Sequence, residues 1–256
     1  MDNIEFFDSI YKIYDKVRPG YPSEMFDDIF KYKNVGFGSR VFEIGIGTGK
    51  ATQPFVDKQC QIASVEPGKK MARYMQKKYI DYIDFSCYNF TFEKYMGMNN
   101  TFDMIYSGTA FHRIDEQQGY EKVFKLLKSK GAFVRFAYHA GEDITRPELA
   151  REIRQLYVEY MNSSEDYKGY TLEDVKTLSS VAEKYGFINN EYKVYHFTKD
   201  FSADEYIKLL STYPDHMEIA EEKRKEFFNK IKNTIKNHGG IITAHYLLDL
   251  HLSLKP

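Results

Sequence analysis

The 256 residues contain no tryptophan, two cysteines and seven prolines, and neither sign of charge dominates. Each scarcity excludes something. Cys60 and Cys87 stand far apart. They make neither a zinc-ligand spacing nor a disulfide framework, and read as buried, reduced thiols. The 36 basic residues against 37 acidic ones leave a net charge of -1. A nucleic-acid binder draws much of its affinity from neutralising phosphates, so no nucleic-acid partner is expected. No apolar run approaches the ~18 residues that would span a bilayer, so no membrane partner is expected either. The opening stretch "MDNIEFFDSIYKIYDKVRPGYP" begins with acids and lacks a basic segment followed by an apolar one. It does not read as a secretory signal, and the expected location is cytoplasmic. The seven histidines fall at no metal-ligand spacing, and no metal is expected.

What is present suits a folded α/β protein. Hydrophobic residues make up 43% and charged ones 29%, the mix of a globular domain. The length fits one large domain, or one carrying a substantial insertion. Residues 4–17 set Phe6, Ile10, Ile13, Tyr14 and Val17 at helical spacing, and Arg18-Pro19-Gly20-Tyr21-Pro22 breaks it. Ser23 is a good N-cap for a second helix. Short apolar strands are expected at 41–46, 61–65, 83–87 and 102–106, with a fifth opening at Gly131. Helices fall between them, one restricted by Pro54 and one capped by Asp115. That alternation implies a parallel sheet covered on both faces, with ligands beyond the carboxyl ends of its strands.

After His139 the pattern changes. Helices are expected at 146–161 and 171–185, a strand at 190–198 and a helix capped by Ser202. The stretch "STYPDHMEI" follows. A long amphipathic helix then carries Met217, Ala220, Phe227, Phe228, Ile231 and Ile235 and stops at Gly239-Gly240. The segment "IITAHYLLDLHL" alternates, with Ile242, Ala244, Tyr246, Leu248, Leu250 and Leu252 on one face. Thr243, His245, Asp249 and His251 form a polar face, as in an edge strand or an antiparallel member of the sheet. No internal repeat or linker divides the chain.

Residues 41–50, "VFEIGIGTGK", hold the most specific signal. A nucleoside-triphosphate loop needs Gly-Lys-Ser/Thr after an earlier glycine, and here Ala51 follows Lys50. A dinucleotide loop fits Gly45 and Gly47, with Glu66 at a suitable distance, but its third glycine would stand where Lys50 is. The remaining pattern, Glu-x-Gly-x-Gly-x-Gly, is met by Glu43, Gly45, Gly47 and Gly49. The stretch resembles motif I of the class I S-adenosylmethionine-dependent methyltransferases. The resemblance is good over roughly the first half of the chain and holds only in outline beyond. In it, Glu66 matches the acid that takes both ribose hydroxyls, and "TFDMIYSGTAFHRID" resembles the fourth-strand motif. "YDKVRPGYP" resembles the N-terminal lid of a subset with small-molecule substrates, including the trans-aconitate methyltransferases.

The physical logic agrees with the resemblance. A sulfonium cofactor carries a cationic amino-acid end and no pyrophosphate. An acid such as Glu43 suits an ammonium and would repel a phosphate. Side chains are excluded at Gly45 and Gly47 where backbone must approach a nucleoside. The Glu66 carboxylate can accept two hydrogen bonds from a vicinal diol. The resemblance implies a Rossmann-like, doubly wound, seven-stranded and mostly parallel sheet with its last strand antiparallel, plus helical insertions forming a lid. Its domain reading is one domain over 1–256, with a helical lid at 1–35 and a substrate cap at 140–188 and 200–238. Its cofactor is S-adenosylmethionine, leaving S-adenosylhomocysteine as product.

The same resemblance assigns further residues. Tyr14 and Arg18 meet the cofactor's carboxylate, Arg18 through its planar fork. Asn89 and Phe90 border the adenine. Ser107 and Gly108 end the fourth strand near the reactive end, where glycine permits close approach. His112 is the candidate general base, needed only for a nucleophile that is protonated at working pH. Tyr138, His139, Tyr213 and His216 are candidates for the substrate cavity, with plain packing as the competing account of each. The function expected is methyl transfer to an oxygen, nitrogen or carbon of a small organic acceptor, by a monomer or homodimer. The alternatives are a cofactor-binding regulatory or scaffold module without methyl transfer, and a nicotinamide-dependent oxidoreductase, which Lys50 and Glu43 disfavour.

Overall fold

Strands and helices alternate along the first half. α1 (Asn3–Val17) and α2 (Ser23–Tyr32) precede β1 (Arg40–Ile44), α3 (Gln53–Asp57), β2 (Gln61–Val65), α4 (Lys69–Lys78) and β3 (Phe85–Tyr88). β4 (Phe102–Gly108), α5 (Glu116–Leu126) and β5 (Leu127–Gly141) follow. The second half holds α6 (Pro147–Met161), α7 (Leu172–Ser180), β6 (Ile188–Ser202), α8 (Ala203–Leu210), α9 (Pro214–Glu218), α10 (Glu221–Asn237) and β7 (Ile241–Leu254). The structure, a computed structural model, describes residues 3–164 and 169–256. Positions 165–168 of the expected insertion lie outside the described residues.

The seven strands pair in the order β3-β2-β1-β4-β5-β7-β6. β1 runs parallel to β2 and β4, β2 to β3, and β4 to β5, as helical crossovers require. β7 runs the other way. The Lys130 N–H donates to the Lys255 carbonyl and the Lys255 N–H to the Gly131 carbonyl, which joins the start of β5 to the end of β7. This is the Rossmann-like sheet with an antiparallel last strand.

Two of the expected caps form. The Asp115 carboxylate accepts from the Gln118 N–H at 3.0 Å, and Ser202 makes a capping box with Glu205. Three details differ from the expectation. Ser23 is the first residue of α2 rather than its cap, a position taken by Pro22. Met217 and Ala220 are not on the long helix. Met217 belongs to α9, and Ile219 and Ala220 are extended before α10 begins. Arg224 explains the break, since its guanidinium donates to the carbonyls of Met217 and Ile219 at 3.0 and 2.9 Å and satisfies the end of α9 from the first turn of α10. Finally, of the two readings of β7 the antiparallel member holds and the edge strand does not, since β7 lies between β5 and β6 and its polar positions Asp249 and His251 are buried. Asp249 accepts from the Ala137 N–H at 2.8 Å and lies 3.3 Å from His251 Nε2.

The chain divides into two compact units. Unit 1 comprises residues 1–19, 139–171 and 196–247, and unit 2 comprises 20–138, 172–195 and 248–256. Unit 2 holds β1 to β4 whole and a core around Phe42, Ile105, Tyr120, Phe133 and Phe187. Within unit 1, α10 packs against α6 and α8 and buries Leu149, Ile153, Leu209, Phe227 and Ile231. Of the residues expected to form one N-terminal lid, α1 falls in unit 1 and α2 in unit 2.

Candidate functional site

The carboxyl ends of β1 to β4 meet along one edge of the parallel sheet in unit 2. The chain leaves β1 through three glycines with left-handed backbone. Gly45 has φ +69°, and a side chain there would bring its Cβ to 2.6 Å from the Cβ of Ala110. Gly47 has φ +56°, but nothing lies within 4 Å of where its Cβ would stand. Gly45 is therefore required by the fold, whereas Gly47 opens onto space. The N–H groups of Gly45 and Ile46 both donate to the Val65 carbonyl, at 3.1 and 3.2 Å, and tie the loop to β2. Just past that strand, Glu66 closes the loop. Its Oε2 accepts from the Gly47 N–H at 2.8 Å and its Oε1 from the Gly68 N–H at 2.9 Å.

Glu43 is 2% exposed. Strand register sets it opposite Tyr106 on β4. Its Oε2 accepts from the hydroxyls of Thr52 at 2.7 Å and Tyr106 at 2.8 Å. Burial pushes its carboxyl up to about 7, against the opposing pull of those two hydrogen bonds and of Lys78. Burial, with Glu43 adding to it, holds the Tyr106 phenol well above its ordinary range. Sequence reasoning missed Thr52 and Tyr106, and the only signal was the register of β1 on β4.

The other expected residues of unit 2 fall around this edge. Asn89 is exposed, and its amide donates to the carbonyls of Glu66 and Pro67 at 2.9 and 2.8 Å. Phe90 is about half exposed beside it. Ser107 is buried and its hydroxyl donates to the Ile44 carbonyl at 3.0 Å. A Cβ on Gly108 would stand 2.7 Å from the Phe136 ring and 2.9 Å from the Tyr21 hydroxyl, so this glycine too is fixed by packing. Tyr21 reaches Thr109 at 2.9 Å, and its ring lies 5.8 Å from that of Tyr138. His112 is exposed in a short 3₁₀ turn. Cys60 and Cys87 are free, buried thiols, which burial raises to about 11 and about 12.

Tyr14 and Arg18 belong to unit 1. Arg18 is buried. Its Nε donates to Thr212 Oγ1 and a terminal nitrogen to the Thr212 carbonyl, both at 2.8 Å. The guanidinium lies 3.7 Å from the Tyr213 ring centre and 5.4 Å from that of Tyr14. Tyr213 and His216 line a cavity of about 430 Å³ in this unit. His139 lines another of about 510 Å³, with its ring stacked 3.5 Å from that of Tyr170. The structure thus gathers Glu43, Gly45, Gly47, Gly49, Glu66, Asn89 and Ser107 within unit 2, and Tyr14, Arg18, Tyr213 and His216 within unit 1. Among the described residues, no helix is long and apolar enough to cross a membrane.

Comparison with known proteins bears on this edge. Residues 41–131, which contain the glycine loop, Glu66 and β4, match the model of a methyltransferase domain family. A Saccharomyces cerevisiae protein named as a probable S-adenosylmethionine-dependent methyltransferase, CRG1, is 29% identical over 63% of this chain. The match spans 55% of that relative's own length. An uncharacterized methyltransferase of Schizosaccharomyces pombe is 20% identical over 87% of this chain and 84% of its own. Among solved structures, a Haemonchus contortus phosphoethanolamine N-methyltransferase 2 is similar in fold. It superposes with a TM-score of 0.58 at 15% identity, covering 97% of this chain and 57% of its own. That structure was solved with phosphomonomethylethanolamine and S-adenosylhomocysteine.

Proposed function

We propose that this chain, a class I S-adenosylmethionine-dependent methyltransferase by its domain and fold, binds S-adenosylmethionine along the strand edge of unit 2 and transfers its methyl group to a small organic acceptor. The single observation that carries the reading is the clasp of Glu66 on the Gly47 N–H at 2.8 Å. It sets a carboxylate, the natural acceptor for a ribose diol, directly against a glycine whose missing side chain leaves space. A second observation supports a ligand there. The Thr48 hydroxyl, in the same loop, is buried without a hydrogen-bond partner, a cost that a bound polar group would remove.

In this reading each residue has a part. The three glycines let backbone approach the nucleoside. Glu66 holds the ribose, and Asn89, whose amide nitrogen is already committed, offers its carbonyl oxygen to the adenine amine beside Phe90. Ser107 and Gly108 carry backbone to the reactive end. Glu43 supplies negative charge for the ammonium. Tyr14 and Arg18 are the residues the resemblance assigns to the carboxylate, which a planar guanidinium suits. The cofactor brings an activated methyl group, so the protein contributes alignment and exclusion of water. His112 is the base for a protonated nucleophile.

Calorimetry with S-adenosylmethionine and S-adenosylhomocysteine tests the reading, followed by a screen of small acids, amines and phenols for methyl acceptance. Saturable binding of both compounds is expected. Absence of binding at high micromolar concentration by folded protein would sink it, and NADH bound more tightly than either would point to hydride chemistry instead.

A further inference from the structure

The parallel sheet of unit 2 has a second edge, where its strands begin, at the ends opposite the glycine loop. Three stretches meet there under the adjoining strands β1, β4 and β5: residues 33–40, residues 95–103 and residues 125–131. Hydrogen bonds tie them together. The Arg40 N–H donates to Asp103 Oδ2 at 2.9 Å, the Asn100 N–H to the Lys125 carbonyl at 2.9 Å, and Lys255 Nζ to Asn100 Oδ1 at 2.8 Å. Two inter-strand steps separate β1 from β5, roughly 10 Å, so side chains from all three stretches share one surface.

That surface is both apolar and basic. Phe37, Met96 and Met98 stand 87, 93 and 76% exposed. A lone exposed apolar side chain is ordinary, but three on neighbouring loops make a patch. The three stretches, with Lys255, hold six basic residues and a single acid, Asp103, in a chain whose net charge is -1. Asp103 is taken by Lys128 at 2.8 Å. Among the described residues, Lys33, Arg40, Lys125 and Lys130 form no ion pair. A cation in the last turn of α5 answers that helix's own dipole, which accounts for Lys125. It does not account for the cations at 33, 40 and 130, nor for three apolar side chains left in water beside them.

The chemistry selects the occupant. A nucleic acid would use the cations but has no use for two methionines. A folded protein would have to supply a pocket for each projecting side chain. An anionic bilayer answers both features, since its headgroups attract Lys and Arg and its acyl boundary takes up apolar side chains wherever they project. The remainder of the same edge differs. Ile83, before β3, is 96% exposed but stands between Asp81 and Asp84, with no basic residue in its loop of 79–84.

We propose that the strand-start edge of unit 2, under β1, β4 and β5, docks on an anionic phospholipid surface. Phe37, Met96 and Met98 enter the interface, and Lys33, Arg40, Lys125 and Lys130 meet the headgroups. The attachment is peripheral and needs no spanning helix. It leaves the carboxyl edge of the same strands turned away from the lipid, and it does not depend on the methyltransferase reading.

Cosedimentation of the full chain with vesicles tests this, using phosphatidylcholine alone and an equal mixture with phosphatidylserine. The mixed vesicles should be bound at least tenfold more tightly. Phe37→Ser with Met98→Ser should weaken that binding at least tenfold. Lys125→Gln with Lys130→Gln should weaken it about twentyfold, at about fivefold for each charge. Ile83→Ser should change it less than twofold. All these positions are exposed, and circular dichroism confirms the fold of each variant. The chain has no tryptophan, so Phe37→Trp is a single reporter whose emission should shift to the blue on the mixed vesicles. No sedimentation at millimolar lipid, equal binding to neutral vesicles, or an unmoved Trp emission overturns the proposal. So does a loss in Ile83→Ser as large as in Phe37→Ser with Met98→Ser. Duplex DNA bound as tightly as the mixed vesicles would assign the cations to nucleic acid instead. Self-association without lipid, abolished by Phe37→Ser with Met98→Ser, would assign the patch to a second copy of the chain; either result overturns lipid docking.

Discussion

Replacing Glu43 by Gln should make the protein more stable, and more so as pH rises. Gln keeps the shape, and its carbonyl oxygen can still accept from Thr52 and Tyr106. What it removes is the charge. Glu43 has its carboxyl raised from 4.5 to about 7, chiefly by burial. At 1.36 kcal/mol per unit, an ionised Glu43 costs the folded state about 3 kcal/mol. The sign follows from where each state gives up its proton. Below pH 4.5 the carboxyl is protonated both folded and unfolded, and nothing is lost. As pH rises the unfolded chain ionises first, the folded one holds its proton until about 7, and the cost is complete above that. Between pH 5 and pH 8 the stability difference between Glu43→Gln and wild type should widen by about 2–3 kcal/mol. Urea unfolding followed by far-ultraviolet circular dichroism at four pH values reads this, because every other titrating group cancels in the difference. A difference that stays constant with pH, at unchanged denaturant slope, would refute a buried carboxyl that titrates near neutrality.

The proposed site couples the same group to the cofactor. A cation bound beside a carboxyl that is half protonated near pH 7 should expel about half a proton, read by calorimetry in buffers of different ionisation enthalpy and abolished by Glu43→Gln. Glu66→Gln should weaken S-adenosylhomocysteine binding by about ten- to a hundredfold, the worth of a charged hydrogen bond. It should also cost about 1–3 kcal/mol of stability, because one of the Gly47 and Gly68 N–H groups would then face an amide NH₂. Gly45→Ala should lower stability by about 2 kcal/mol or more, from its left-handed backbone and the 2.6 Å approach to Ala110, whereas Gly47→Ala should cost about 1 kcal/mol and act mainly on cofactor affinity. Arg18→Lys should cost about 2 kcal/mol through the lost Nε bond to Thr212 and lost stacking on Tyr213, seen in chemical denaturation without any ligand.

What could be read from the sequence was what is local along the chain. A glycine turn after an apolar strand needs no partner to be recognised, since the left-handed backbone at Gly45, Gly47 and Gly49 is a demand that only glycine meets cheaply. Glu66 was legible for the same reason, as the end of the next strand in a regular alternation. The partners of Glu43 were not. Tyr106 and Thr52 come to it through strand register and the turn into α3, and neither leaves a periodic trace. The alternation of β7 fitted its antiparallel place in the sheet but not the burial of its polar face, because alternation reports chemistry, while burial depends on neighbours. With β5 on one side and β6 on the other, Asp249 is covered and satisfied by the Ala137 N–H. The end of α9 was hidden likewise, since no glycine or proline marks it and Arg224 closes it from the following helix.

The contact of His216 with Asp215 and Tyr157 lies furthest from the sequence. An acid next to a histidine is ordinary in a sequence, and Tyr157 on α6 alone reads as a packed tyrosine. Only the assembled fold brings the Tyr157 hydroxyl to 2.8 Å from His216 Nε2 while Asp215 Oδ1 lies 2.9 Å from Nδ1 of the same ring. The first of these pairs spans 59 positions of chain, and no periodicity within α6 or α9 reports a partner at that distance.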